Sequence, residues 1–419
     1  MSKKVAMFVF NDGNHDQRVH KQAQALGIRG FDVRVYCFLT AGQKTHEERE
    51  GYQLFREDQR SHAARFFDDR IVGRLRKKKP EPEQAAPAEV SLPPDKEPEV
   101  PCARPQRELK QQAEPHQRDH WNYIDRINRV WAERAGVWKP DLVQAHDLDA
   151  LQAAILLKEQ LGVPAIYDTH ELWSEQPFID SKEAVLHWDQ LETRLIGKAD
   201  AVMTVNEPLA EILKGRYALS EVLALHNCQE LQALPERPPN KKPVALYQGA
   251  YVPHRGLEQV IAAAQKTDKV TFAFRGFGSS ETELRALDKT GKIQWWDPVP
   301  GPEVVQAASQ ADIGLIPFLP TCLNHYYSTP NKLFEYMSAG LAIAGSHIPE
   351  IAKFTQEYQL GELFDPYSPG DIARALDAMV DSGDLPAMQR RAREAAQERW
   401  NWETEVQGYL GVVNGLLNS

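Results

Sequence analysis

In Ser328–Gly345 (STPNKLFEYMSAGLAIAG) a polar loop runs into a helical pattern, and an apolar strand follows. A helix amino terminus presents unpaired N–H groups and roughly half a positive charge, which suits a diphosphate. Glu335 lies one turn in, where its carboxylate can accept two hydrogen bonds from adjacent hydroxyls such as a ribose diol. The same stretch also reads as an exposed helical glutamate beside core residues Phe334, Tyr336 and Met337. Gln248–Leu257 (QGAYVPHRGL) follows a strand and sets Arg255 beside a glycine. A guanidinium there can offer bidentate donors to a diphosphate. A solvated surface arginine is the alternative. Arg275-Gly276-Phe277-Gly278 also follows a strand, and its glycines admit a ligand to the backbone or make an ordinary βα turn.

Toward the amino end, Asn11–Val19 (NDGNHDQRV) places a glycine loop between a strand and a helix, with Gly13, Asp16 and Arg18 in it. Asp16 fits a helix N-cap as well as a ligand contact. His146 ends the strand Asp141–Ala145, where an imidazole can hold a hydroxyl or stabilise charge near neutral pH, or be structural. The neighbouring Asp147 and Asp149 also fit a divalent-metal pair. No nucleophilic triad is visible.

These residues need a scaffold, and the pattern supplies one. Strand, helix and strand alternate from Val5–Phe10 through Arg18–Arg29 to Phe31–Phe38, a βαβ unit that predicts a parallel sheet. The rhythm resumes at Asp141 and runs to Val222–Leu225. Leu234–Pro243 (LPERPPNKKP) reads as a linker, and a second alternation begins at Val244–Tyr247. Its members include the helices Leu257–Gln265 and Asn331–Ala339 and the strands Val270–Arg275 and Ile313–Pro317; Ala387–Leu417 is largely helical. The fold class is therefore α/β, with two Rossmann-like domains facing a central cleft.

The rhythm breaks once. Arg70–Lys79 holds six basic residues, and Pro80–Pro101 holds seven prolines and six acids. Such a segment buries too little apolar surface to offset its ordering entropy, so 78–116 reads as a disordered insertion. The basic run 70–79 fits peripheral docking on an anionic membrane, or a solvated flank.

With 419 residues the chain exceeds one ordinary core. Its net charge of −10 argues against nucleic acid as a partner. No apolar run approaches a membrane span or a signal peptide. Four scattered cysteines read as reduced thiols, which places the protein in the cytoplasm.

In the order of its motifs, and over nearly the whole chain except about 45–125, the sequence resembles glycosyltransferase family 4, in the bacterial polysaccharide-type subgroup. The resemblance implies the GT-B fold and transfer of a sugar, with retention, from a nucleoside diphosphate donor (UDP-sugar favoured) to a glycan or lipid-linked acceptor. It implies an acceptor-side domain at 1–238, a donor domain at 239–398, and a terminal helix at 399–419 packing back on the first domain. It puts Glu335 on the ribose, the backbone amides of Asn331 and Lys332 and the side chain of Arg255 on the diphosphate, and Leu333, Gly249, Gly276 and Gly278 in the donor site. It sets His146 beside the reacting carbon and Gly13, Asp16, Arg18, His170 and Glu171 on the acceptor side, with Asp168 fixing the loop. Asn206-Glu207 and His226-Asn227 match positions near the cleft with weaker roles.

The chain departs from the family at three places. Tyr327 stands where many members have a glutamate that touches the donor sugar, Ala250 where many have a second arginine, and Pro330 where a glycine is usual. Lys332 is the residue placed to restore the missing charge. No metal or other cofactor is expected. The competing readings are a sugar-nucleotide epimerase on the same fold and a non-enzymatic regulator that binds nucleotide or glycan.

Overall fold

A computed structural model of the chain describes residues 2–14, 16–40, 42–58, 91–95, 99 and 101–418. The basic run 70–79 lies outside the described residues. The chain divides into two compact units, 1–90 with 118–167 and 91–117 with 168–419.

The first unit carries β1 (Lys4–Val9), β2 (Asp32–Leu39), β3 (His46–Arg49), β4 (Tyr52–Asp58), β5 (Leu142–His146) and β6 (Ala165–Asp168), in the spatial order β3-β4-β2-β1-β5-β6. β4, β2, β1 and β5 pair in parallel, and β3 adds an antiparallel edge to β4. Val5–Val9 and all of β5 are buried, as strands of a parallel sheet covered on both faces must be. The helix Pro115–Trp138, which sequence periodicity did not single out, buries Ile124, Ile127, Trp131 and Ala135 at helical spacing.

The second unit carries β7 (Ala201–Thr204) and β8 (Leu223–Ala224), paired in parallel. It also holds β9 (Val244–Gln248), β10 (Thr271–Arg275), β11 (Ile293–Trp296), β12 (Ile313–Ile316), β13 (Ala342–Ser346) and β14 (Gly361–Phe364). These six form an all-parallel sheet ordered β11-β10-β9-β12-β13-β14. The chain winds outward from β9 in one direction, then returns and winds outward from β12 in the other. That reversal opens a crevice at the carboxyl ends of β9 and β12, where ligands of such sheets bind. In the first unit β1 and β5 make the corresponding reversal.

The segment 78–116 carries more order than its composition predicts. Its residues 78–90 lie outside the description, yet Asp95 reaches Lys266 Nζ at 2.9 Å and accepts from Gly370 N. Cys102 is buried and donates its N–H to His347 O. Arg107 donates to the carbonyls of Ser174 and Ile179, and Lys110 bridges to Ser181. Composition counts apolar area and net charge; here the ordering comes from hydrogen bonds to distant backbone groups that no local window contains. Among the described residues, no helix is long and apolar enough to cross a membrane.

Candidate active site

The crevice of the second unit gathers the residues that the sequence assigned to a diphosphate. Gly249 N donates to Arg275 O at 2.9 Å, which carries the chain out of β9 beside β10. Gly256 then turns the loop into the helix Leu257–Ala264 with φ of 69°, and a Cβ there would collide with the Pro317 carbonyl. Only glycine allows this approach, and the approach lays Arg255 over the Phe318 ring, 4.2 Å from its centroid. Gly256→Ala is expected to lower stability by about 1–3 kcal/mol through the left-handed backbone and the clash. Urea denaturation checks this; an unchanged midpoint would contradict the contact. Gly276 and Gly278 sit equally close to the Gly249 and Tyr251 backbones, so their first role is to seat the β10 turn against the β9 exit.

The helix Asn331–Ser338 begins after Pro330, whose φ of −66° prepares the first turn and whose missing N–H costs nothing there. Leu333, Phe334, Tyr336 and Met337 are buried, and the Tyr336 hydroxyl accepts from Gln248 N at 2.8 Å, which pins the helix to β9. Lys332 and Glu335, three apart, share the other face. Lys332 Nζ lies 5.0 Å from the Tyr247 ring centroid and 5.9 Å from that of Phe318. A Cβ on Gly249 would meet that Nζ at 2.7 Å, so the bare glycine makes the seat.

Arg255 and Lys332 thus flank one aromatic ring. Among the described residues, neither side chain has a hydrogen bond or a carboxylate within ion-pair distance. Burial, and then the neighbouring Arg255, push the Lys332 amine down to about 8, against the opposing pull of Glu335. Burial likewise lowers Arg255, with Tyr247 and Glu171 opposing. His325 is held at about 4 by burial and by Arg255 and His254. Two basic side chains with no ion pair among the described residues, at a helix amino end and a sheet reversal, make a place for an anion.

Glu171 faces Arg255 electrostatically, and Asn324 fixes it. Asn324 Nδ2 donates to Glu171 Oε2 at 3.2 Å, and Asn324 Oδ1 accepts from Leu172 N at 2.8 Å. His170 Nε2 stands 3.8 Å from Asp168 Oδ2. Asn324 was missed by sequence reasoning, because nothing local marks its partners 152 and 153 residues away. Asn206 Nδ2 donates to Tyr327 O and Thr329 Oγ1, and Asn227 Nδ2 donates to Asn331 Oδ1. These bonds fix the approach to the helix.

In the first unit, Asp16 caps its helix, accepting from Val19 N at 3.2 Å and from Asn11 Nδ2. Gly13 takes φ of 68° against Cys37, and Arg18 is buried. His146 pairs in register with Val9 at the exits of β5 and β1 and is fully buried, its Nε2 3.2 Å from Gln144 Nε2. His146 thus stands at the strand-order reversal of this unit, while Gly13 packs against β2 and β4 and Asp16 serves its own helix. Neither Asp147 nor Asp149 joins a cluster of three metal-capable side chains among the described residues. Glu207, His226 and Glu350 do form such a cluster, but Lys353 Nζ stands 3.4 Å from Glu207 and 4.0 Å from Glu350, so an ammonium already meets their charge.

Two family models match the chain: a glycosyl transferase 4-like domain over residues 15–227, just over half of the chain, and glycosyl transferases group 1 over 242–382. The chain belongs to the glycosyltransferases. Glycogen synthase of Mycobacterium tuberculosis is 24% identical to this glycosyltransferase over 322 residues, 69% of this chain and 73% of that protein. A putative teichuronic acid biosynthesis glycosyltransferase of Bacillus subtilis, TuaH, is 26% identical over 155 residues, 36% of this chain and 38% of its own. Among solved structures, sucrose-phosphate synthase of Thermosynechococcus elongatus matches with a TM-score of 0.73 at 14% identity, covering 99% of both chains. Anabaena HepE in complex with UDP-glucose matches with a TM-score of 0.65 at 13% identity, covering 98% of this chain and 99% of that one. The glycosyltransferase has the GT-B fold of two parallel α/β domains.

Behind the helix Asn331–Ser338 of the glycosyltransferase lies a charge network centred on the buried His226. His226 Nδ1 is 3.3 Å from Glu405 Oε2, His226 Nε2 is 3.4 Å from Glu207 Oε2, and the ring packs edge-on against Phe334. Burial opposes charge on His226, but hydrogen bonds to Glu207 and Glu405 prevail and raise its titration point. The His226 hydrogen bond in turn takes Glu207 down to about 2. A raised histidine contributes stability that is fully present below its unfolded value near 6.5 and is lost as pH rises through the folded value. The depressed Glu207 contributes above about 4.3 and loses its part as pH falls toward 2. His226→Gln should therefore lower Tm most near pH 5–6, and less by about pH 9. A Tm deficit that does not vary with pH would contradict this.

Proposed function

We propose that this glycosyltransferase transfers a sugar from a nucleoside diphosphate donor, a UDP-sugar by preference, to a glycan or lipid-linked acceptor with retention of anomeric configuration. The observation that carries the reading is the pair Arg255 and Lys332, two basic side chains with no carboxylate at ion-pair distance among the described residues, at the amino end of Asn331–Ser338. In that seat the leaving diphosphate receives the guanidinium, the ammonium and the leading amides of the helix, while Glu335 accepts from the ribose hydroxyls. As the bond between the sugar carbon and the phosphate oxygen breaks, negative charge grows on the diphosphate, and these preorganised donors stabilise it. The acceptor hydroxyl attacks from the same face and its proton passes to the departing phosphate. Charge on the leaving group is met by side chains, so the reading gives a metal ion no part. HepE holds UDP-glucose in its complex, and TuaH is named for teichuronic acid biosynthesis, which supports the donor and acceptor classes.

A thermal-shift panel of UDP-, GDP- and ADP-sugars tests the donor, because a ligand at about 100 Kd stabilises by about 2.7 kcal/mol. Proton NMR of the product of the best donor then reads the anomeric configuration. A shift with UDP-sugars and a product of unchanged configuration are expected; inversion would overturn the retaining assignment.

A further inference from the structure

We propose that donor binding is coupled to proton uptake at Lys332: the entering diphosphate draws a proton onto an amine seated between two aromatic rings and beside the Arg255 guanidinium. The inference rests on the reading that the diphosphate occupies this pocket.

The geometry leaves little choice. Lys332 Nζ is enclosed by the Tyr247 and Phe318 rings and by Gly249, and it shares Phe318 with Arg255. A guanidinium does not release its proton under these conditions, so the strain of two like charges on one ring falls on the amine. The charged and titratable groups around it are few. Arg255, from the loop ahead of Leu257–Ala264, disfavours the ammonium, and Glu335, on the same helix, favours it. Tyr247, on β9, stays protonated through burial and donates to Ala250 O. Glu258 acts on Tyr247, Glu171 acts on Arg255, and Arg255 in turn disfavours charge on His325. No acid closes a pair with Lys332 among the described residues. With the amine near 8, an anion at hydrogen-bond range would raise its titration point by roughly one to three pH units. Ala250 removes the fixed charge that an arginine would bring, and Lys332 restores it in a form that depends on the ligand.

Isothermal titration of the full chain with UDP-glucose and with GDP-mannose, in two non-phosphate buffers of different ionisation enthalpy, reads the protons taken up. Both phosphates of these probes are already ionised at pH 8. The expected uptake is about 0.4–0.5 proton per site near pH 8, about 0.4–0.9 near pH 9 depending on the size of the rise, and close to none at pH 6.5, and the association constant falls up to about tenfold per pH unit above 8. Lys332→Arg should bind with no uptake. Binding of either probe without uptake at pH 8 to 9 would overturn the coupling and leave the donor site standing. Uptake that persists in Lys332→Arg would place the proton elsewhere and overturn the assignment. Failure of both probes to bind would overturn the donor site and the coupling with it.

Discussion

Replacing Arg255 by alanine is expected to cut kcat by a factor on the order of 10²–10³, the usual consequence of removing one donor that meets developing charge. The guanidinium is positioned for this by Gly256 and Phe318 rather than by a carboxylate. Its removal therefore breaks no ion pair, and Tm should change by only a few degrees. That contrast separates a catalytic loss from an unfolding one. Steady-state transfer with the best donor, together with a melting curve, checks both parts. Full turnover in Arg255→Ala would take the residue out of the site; lost turnover with a collapsed Tm would assign it a structural role.

Glu335→Ala should act on the ground state instead. Two hydrogen bonds from ribose hydroxyls to a carboxylate are each worth about 1.5–3 kcal/mol, so donor affinity should fall by about 10²-fold or more. The kinetic signature is a rise in KM larger than the fall in kcat, because the ribose contact is made equally before and during the reaction. A second consequence follows from the helix face that the two residues share. Glu335 supports the charge of Lys332, so its loss lets the lysine titrate lower still and steepens the decline of affinity above pH 8. Titrating donor binding against pH in both proteins checks this; equal KM values for Glu335→Ala and the native enzyme would remove the carboxylate from the ribose.

The donor-side helix was legible because its cause is local. Pro330 opens it, Leu333, Phe334, Tyr336 and Met337 face one way, and the observed helix Asn331–Ser338 ends one residue before the predicted Ala339. The βα alternation was legible for the same reason, since apolar runs such as Val244–Gln248 identify strands that are covered on both faces. The edge pair β3 and β4 was not, because the strand His46–Arg49 consists entirely of charged or titratable residues and is held by pairing to Tyr52–Asp58, not by burial. Nor could any window show that Lys332 nests against Gly249, or that Asn324 orients Glu171. Those contacts depend on a missing Cβ and on amide partners distant in sequence. The motif residues thus announce which chemistry is present, while the partners that aim and charge them come from the fold.

One seat, between Arg255, Lys332 and the first amides of Asn331–Ser338, is proposed to hold the donor diphosphate. A crystal structure with a bound UDP-sugar tests it directly. Phosphate oxygens are expected within hydrogen-bond distance of the Arg255 guanidinium, Lys332 Nζ and the helix amides, with both ribose hydroxyls on Glu335. A fully ordered nucleotide bound away from these groups would contradict it.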